Sequence, residues 1–136
     1  MDVLVLGAGA REHALCWKLQ QDGGVGRLYA APGNPGMASL ARLLPLDASD
    51  GAAVVEACRA HGIGFVVVGP EAPLVAGVAD ALCAAGIGVF GPSAAAARLE
   101  GSKAFTKEVL QAAGVPTAAW RAFTDPAEAE RYARVQ

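Results

Sequence analysis

The chain has 136 residues, 54% of them apolar and 6% aromatic; that length suits one domain with a buried core, and the wealth of helix formers and glycine favours an α/β domain over a β-sandwich. Its 11 lysines and arginines against 13 acids leave a formal charge of −2, scattered along the chain, which speaks against a nucleic-acid binder and against a polybasic membrane surface. Cys16, Cys58 and Cys83 are widely spaced and form no Cys-x-x-Cys pair, so they read as small apolar side chains in or near a core, with no metal site, in a reducing compartment.

In chain order, residues 3–6 form a continuous apolar run that ends in glycine, as a buried parallel strand should. No secretory leader precedes it, and no apolar stretch reaches the roughly 20 residues that span a bilayer, so a soluble, cytoplasmic protein is expected. A helix follows over residues 11–21, ended by Asp22, Gly23 and Gly24. Residues 28–31 make a second strand, opening into a loop of breakers, Pro32 to Gly36. Residues 43–46 suit a short edge strand because of Pro45. Asp50 caps a helix that runs to His61 and stops at Gly62; His61 is a cap-region residue.

Residues 65–68 are the clearest strand of the chain and end at Gly69, Pro70 and Glu71. A helix is expected over residues 73–85, with Leu74, Val78 and Leu82 on one face. Val89 and Phe90 close a fourth core strand before Gly91 and Pro92. Ser93 and Ser102 are N-caps of two further helices, the second running to Ala113. Alternating strands and helices of this kind make an open, doubly wound, mostly parallel Rossmann-like sheet. Beyond Gly114 and Pro116 a strand is expected over residues 119–123, and Asp125, Pro126 and Glu128 announce a helix that carries Tyr132 and Val135 and runs on to Gln136. That tail brings an apolar face with nothing to bury it, so the chain reads as a piece of a longer protein. Trp17 and Trp120 read as packing residues.

Ligands of open parallel sheets bind beyond the carboxyl ends of the strands, at the topological switch point. Three loops there share a character: residues 7–13, 32–36 and 69–73. In the first, Gly7 and Gly9 permit a tight turn and a close backbone approach, and the helix start aims free N–H groups at an anion. Dinucleotide binding is the obvious rival. Against it, Glu12 stands where the fingerprint has its third glycine, and residues 29–33 carry no acid for a ribose. Arg11, Glu12 and His13 at a helix start point instead to a small polar ligand.

The residues Gly7, Gly9, Arg11, Glu12, His13 and Ala14, then Ala31 to Gly36, then Gly69 to Leu74, then Phe90 to Pro92, then Leu99 to Lys107 resemble the phosphoribosylamine–glycine ligase family, in order and at matching spacing, over the whole chain. Ala10 departs mildly from the glycine expected there. The resemblance implies a Rossmann-like domain preceding an ATP-grasp domain in an enzyme of purine synthesis. The family activates glycine with ATP and Mg²⁺ as an acyl phosphate, which the amine of 5-phosphoribosylamine attacks to give glycinamide ribonucleotide. Residues 1–103 would be the substrate domain, and 104–136 a linker and the truncated beginning of the ATP-grasp domain. No catalytic or metal-binding residue is expected within the chain, and no cofactor tightly bound to it alone.

The residues expected to bind the phosphoribosyl substrate are Gly7, Gly9, Ala10, Arg11, Glu12, Asn34, Gly36, Gly69, Pro70 and Glu71. Glu71 would bond ribose hydroxyls or the ligand amine, the alternative being a solvated loop acid. Arg11 would pair with the ligand phosphate or with Glu12. Glu12 itself could satisfy amides at the helix start, and Asn34 and Gly36 could form a lid over the ribose. His13 reads as packing or hydrogen-bonding more than acid–base. Lys103 would contact an ATP phosphate, or be an exposed helical lysine. Two other classes stay open: an NAD(P)-binding oxidoreductase module and a non-catalytic scaffold domain.

Overall fold

A computed structural model describes residues 1–135 of the chain. The fold divides into two compact units, Met1–Ala97 and a second from Arg98 onward.

The first unit is a five-stranded sheet, all of its pairings parallel, in the order β3-β2-β1-β4-β5. The strands are β1 (Asp2–Gly7), β2 (Leu28–Pro32), β3 (Arg42–Leu43), β4 (Ile63–Val68) and β5 (Gly88–Phe90). Between them run α1 (Ala10–Gln20), a 3-10 turn (Pro35–Ser39), α2 (Gly51–His61), α3 (Glu71–Val75) and α4 (Val78–Ala84); α5 (Ala94–Gly101) follows β5 and belongs to the first unit only as far as Ala97. Strand side chains alternate between faces. Leu4 and Leu6 of β1, with Val66 and Val68 of β4, pack against Val54 and Cys58 of α2 and Val78 and Leu82 of α4. Val3 and Val5 face the other way, onto Cys16 of α1, Met37 and Ala41. Helical cover on both faces explains why these strands are continuous apolar runs. Leu4, Leu6 and Leu82 are fully buried, each burial contributing roughly 1.5–3 kcal/mol.

The strand order places the topological switch point between β1 and β4. From β1 the chain winds outward through α1 to β2 and β3; α2 then returns it to β4 on β1's other side.

Four features depart from the sequence reading. The helix expected over residues 73–85 is two, because Gly77 adopts φ +90° and breaks it; Leu74, Val78 and Leu82 still enter one cluster. The edge strand covers residues 42–43 rather than 43–46. Residues 119–123 form no strand, since extended chain becomes sheet only through a paired neighbour and they take none among the described residues. Trp17 and Cys83 are exposed, Trp17 at 55%, and so are not core residues.

The second unit contains α6 (Lys103–Ala112) and α7 (Pro126–Ala133). Ser102 Oγ accepts from Phe105 N–H at 3.3 Å, and Asp125 Oδ1 from Ala127 N–H at 2.9 Å, so both caps stand where the sequence puts them. Arg98 lies over the Phe105 ring at 3.9 Å, and the rings of Phe123 and Tyr132 meet at 5.2 Å. Helix α7 ends at Ala133; the expected run of this helix to Gln136 lies in part outside the described residues.

Candidate functional site

Three loops leave the carboxyl ends of β1, β2 and β4, and backbone and side-chain bonds tie them into one rim. Gly33 N–H donates to Gly7 C=O at 3.2 Å, and Gly69 N–H to Leu6 C=O at 3.1 Å, so the ladders run on past the strands. Asn34 is half-buried. Its Nδ2 donates to Ala8 C=O at 2.9 Å, joining the second loop to the first, while its Oδ1 caps the 3-10 turn by accepting from Met37 N–H at 3.1 Å. The His13 ring lies against Gly36, where a Cβ would come within 2.7 Å of Cε1.

Glu12 occupies the middle of this rim. It is the one buried charged residue among those described, 3% exposed, at the third position of α1. Its Oε2 accepts the N–H of Gly9 at 2.8 Å. Its Oε1 is buried and has no hydrogen-bond partner; the nearest cation is Arg11 Nε at 3.8 Å, beyond hydrogen-bond range. The slot that admits this side chain is made by glycines. A Cβ at Gly69 would stand 2.2 Å from Oε1, one at Gly7 would stand 2.6 Å from Cγ, and one at Gly9 would stand 2.8 Å from Oε2. Gly7 also has φ +126°, a conformation that a side chain would oppose. The carboxylate therefore lies at the positive end of the α1 dipole, in the switch-point crevice between the ends of β1 and β4.

The other expected residues lie on the same loops. Ala10 and Arg11 open α1 and are exposed, Arg11 with 70% of its side chain free. Pro70 is half-buried and is the N-cap of α3; Glu71 starts that helix and is exposed. The first unit thus carries Gly7, Gly9, Ala10, Arg11, Glu12, Asn34, Gly36, Gly69, Pro70 and Glu71 on the segments that leave the carboxyl ends of β1, β2 and β4. Lys103 belongs to the second unit, exposed in the first turn of α6. His61, at the end of α2 beside the C-cap Gly62, stacks on Tyr29 at 5.3 Å.

The burial of Glu12 was not read from the sequence. Its only sequence signal is a carboxylate at the third helical position with a glycine at the N-cap. The Gly69 half of its slot is 57 residues away. The sequence reading also missed the clasp of Asp80 Oδ2, which accepts Ala94 N–H at 2.7 Å and holds the start of α5.

Burial raises the thiol of Cys16 to about 11, with the charge of Glu12 adding to it, and burial alone does the same for Cys58; neither is a poised nucleophile at neutral pH. Among the described residues no group of three or more His, Cys, Asp or Glu could hold a metal ion, and no helix is long and apolar enough to cross a membrane.

An open parallel sheet with a glycine-lined crevice at its switch point places the chain among Rossmann-like α/β domains. The family model described as "Phosphoribosylglycinamide synthetase, N domain" matches residues 1–100, and the chain belongs to that family. It is 57% identical over 134 residues to phosphoribosylamine–glycine ligase of Rhizobium meliloti (strain 1021), covering 98% of this chain and 32% of that protein. With the ligase of Streptomyces coelicolor the figures are 61% over 130 residues, 96% and 31%. The trifunctional purine biosynthetic protein adenosine-3 of Gallus gallus is 52% identical over 126 residues. The chain spans about a third of the length of these bacterial ligases.

Among solved structures, phosphoribosylamine–glycine ligase of Thermotoga maritima superposes with a TM-score of 0.71 at 26% identity, over 99% of this chain and 30% of that one. The biotin carboxylase domain of a single-chain bacterial carboxylase shares the fold, with a TM-score of 0.67 at 19% identity.

Proposed function

We propose that the chain is the amino-terminal substrate domain of a phosphoribosylamine–glycine ligase, and that its rim holds the phosphoribosyl substrate while the rest of the enzyme performs the chemistry. The supporting observation is the convergence of three glycine-framed loops at the switch point, in a chain 57–61% identical to ligases of that name over 96–98% of its length. On this reading glycine is activated by ATP and Mg²⁺ as an acyl phosphate, and the amine of 5-phosphoribosylamine displaces the phosphate. The products are glycinamide ribonucleotide, ADP and phosphate.

On this reading the nucleotide pocket and the Mg²⁺ ligands belong to the ATP-grasp part of the longer ligases, of which the chain spans about a third. Within the chain, Glu71 is the acceptor for ribose hydroxyls or the amine, and Asn34 and Gly36 flank the sugar. Lys103 is assigned to an ATP phosphate. Residues 1–103 form the substrate domain on this reading, and residues from 104 begin the next. Small molecules are its expected partners, in the cytoplasm, with neither nucleic acid nor membrane. An NAD(P)-binding role is disfavoured by the Glu12 carboxylate standing where a pyrophosphate would approach the backbone.

A chimera tests the proposal. Replacing the matching third of the Streptomyces coelicolor ligase with this chain should preserve ATP-dependent glycinamide ribonucleotide formation, and Glu71→Ala in the chimera should raise KM for 5-phosphoribosylamine more than KM for glycine. A folded chimera without ligase activity would overturn the reading. The isolated chain should be inactive, and micromolar NADH binding to it would favour the oxidoreductase alternative.

A further inference from the structure

Glycine-rich turns at a strand–helix junction are ordinarily anion seats: free N–H groups and the helix dipole converge on a phosphate. In this chain one donor of the seat is taken and a carboxylate stands in it. Oε2 of Glu12 already accepts Gly9 N–H at 2.8 Å, and the side chain fills the slot bounded by Gly7 and Gly69. A phosphate brought to the start of α1 would meet a carboxylate in contact range and would find that donor occupied.

Oε1 lies in the same slot, buried and without a hydrogen-bond partner, with only the Arg11 guanidinium paired to it at 3.8 Å. A buried carboxylate oxygen left without a hydrogen bond costs free energy that a donor would recover. Gly69 N–H is committed to Leu6, and Arg11 Nε stands beyond hydrogen-bond range. The Arg11 side chain, 70% free, is the movable wall beside Oε1.

We propose that Glu12 sets the polarity of the bound ligand: it excludes phosphate from the start of α1 and presents Oε1 to a hydrogen-bond donor, a hydroxyl or amine of the substrate, so that the phosphoryl group lies away from α1. This rests on the reading of the rim as a phosphoribosyl site. It makes Glu12 a specificity-determining residue, and it reverses the orientation that the glycine turn alone suggests. Gly7, Gly9 and Gly69 are then required because the carboxylate needs their space, not because a phosphate does.

Amide-resolved NMR titration of this chain tests the proposal with two probes, inorganic phosphate and ribose 5-phosphate. Inorganic phosphate at concentrations on the order of 10 mM should leave the amides of Gly9, Ala10 and Arg11 in place in the native chain. The same addition should shift them in Glu12→Gly, where the seat is vacated. Glu12→Gln keeps the shape. Its amide oxygen must face Gly9 N–H, so its NH₂ faces the position of Oε1 and turns an acceptor into a donor. A ribose hydroxyl then meets a neutral amide in place of a charged acceptor, and the charge-assisted bond is lost, so ribose 5-phosphate should bind this variant about tenfold more weakly than the native chain. Dispersed β1 and β4 resonances establish that each variant is folded, and should Glu12→Gly not fold, Glu12→Gln and the native chain still decide.

Phosphate-induced shifts at Gly9 to Arg11 in the native chain, or undiminished ribose 5-phosphate binding by Glu12→Gln, would overturn the proposal. Absence of ribose 5-phosphate binding with phosphate excluded as expected would instead overturn the phosphoribosyl reading of the rim, and leave the exclusion by Glu12 standing.

Discussion

Every buried side chain of the described protein lies between Val3 and Ala97; from Arg98 onward none is buried. Yet the helices on the two sides of that line are equally well announced in the sequence. Asp50 caps α2, while Ser102 and Asp125 cap α6 and α7. Local signals specify a helix but do not hold it: a short isolated helix is marginal in water, and most of its stability comes from burying an apolar face. The first unit has that burial on both faces of a sheet. The second has none: its contacts, such as Arg98 over Phe105, Phe123 against Tyr132 and Lys107 Nζ on Ala118 C=O, join residues that stay partly or wholly exposed.

The largest expected contrast is in thiol reactivity. Cys16 and Cys58 are buried in the two core clusters, whereas Cys83 is exposed. With a disulfide reagent at neutral pH, Cys83 should react at once and Cys16 and Cys58 only through opening of the first unit, slower by a factor on the order of 10³ or more. A reporter in the second unit, Val109→Cys, should react as fast as Cys83. Equal protection of the reporter and Cys58 would break the contrast. The pH dependence has a definite sign. Folding raises both buried thiols from 9.0 to about 11, so the folded state favours the neutral thiol. That contribution is complete below pH 9 and is lost as pH rises through about 11.

Next in size are truncations of apolar side chains. Leu4→Ala, at a fully buried site under α2 and α4, should destabilise the first unit by about 3–5 kcal/mol in urea unfolding. Leu99→Ala, 47% exposed, should cost less than about 1 kcal/mol. Similar losses at the two sites would mean that the second unit has a core of its own.

This contrast also marks what a sequence can disclose. The runs ending at Leu6 and Val68 were legible as parallel core strands because burial on both faces leaves no polar alternation. Most helix ends were legible through Asp50, Ser102, Asp125 and Gly62. The break at Gly77 was not: a glycine inside an apolar pattern reads equally as a tolerated helical residue. Residues 119–123 have strand character but take no partner, and pairing is a tertiary fact. At the rim, the loops could be placed from strand ends and glycines. The occupant of the glycine slot could not, because Glu12 meets Gly69 only once β4 lies beside β1.

A smaller effect separates two kinds of glycine. Gly69→Ala should cost about 1–3 kcal/mol, because its Cβ would stand 2.2 Å from Glu12 Oε1 and 2.4 Å from Cγ, forcing the buried carboxylate out of its slot. Gly114→Ala should cost only the left-handed backbone penalty at φ +67°, about 1 kcal/mol, with nothing near its Cβ. Glu12→Ala should relieve much of the cost of Gly69→Ala in a double-mutant cycle and none of the cost of Gly114→Ala. Additive effects of Glu12→Ala and Gly69→Ala would show that the slot is not filled as described.

The smallest expected effect concerns the caps themselves. Asp50 Oδ1 accepts Ala53 N–H at 3.0 Å, and Asp125 Oδ1 accepts Ala127 N–H at 2.9 Å, so the two bonds are nearly equivalent as local chemistry. Replacing either by alanine removes about 1 kcal/mol of helix-end stabilisation. The readouts should nevertheless differ. Helix α2 packs Val54 and Cys58 into a core shared with β1, β4 and α4, so Asp50→Ala should lower the urea midpoint of the whole first unit, with every core amide losing the same protection. Helix α7 buries nothing, so Asp125→Ala should fray α7 locally, seen as faster hydrogen exchange over residues 127–133 and no change in that midpoint. A shift of the first unit's midpoint in Asp125→Ala would mean that the two units unfold together. Unchanged exchange in α7 would mean that its helix is held by more than its cap.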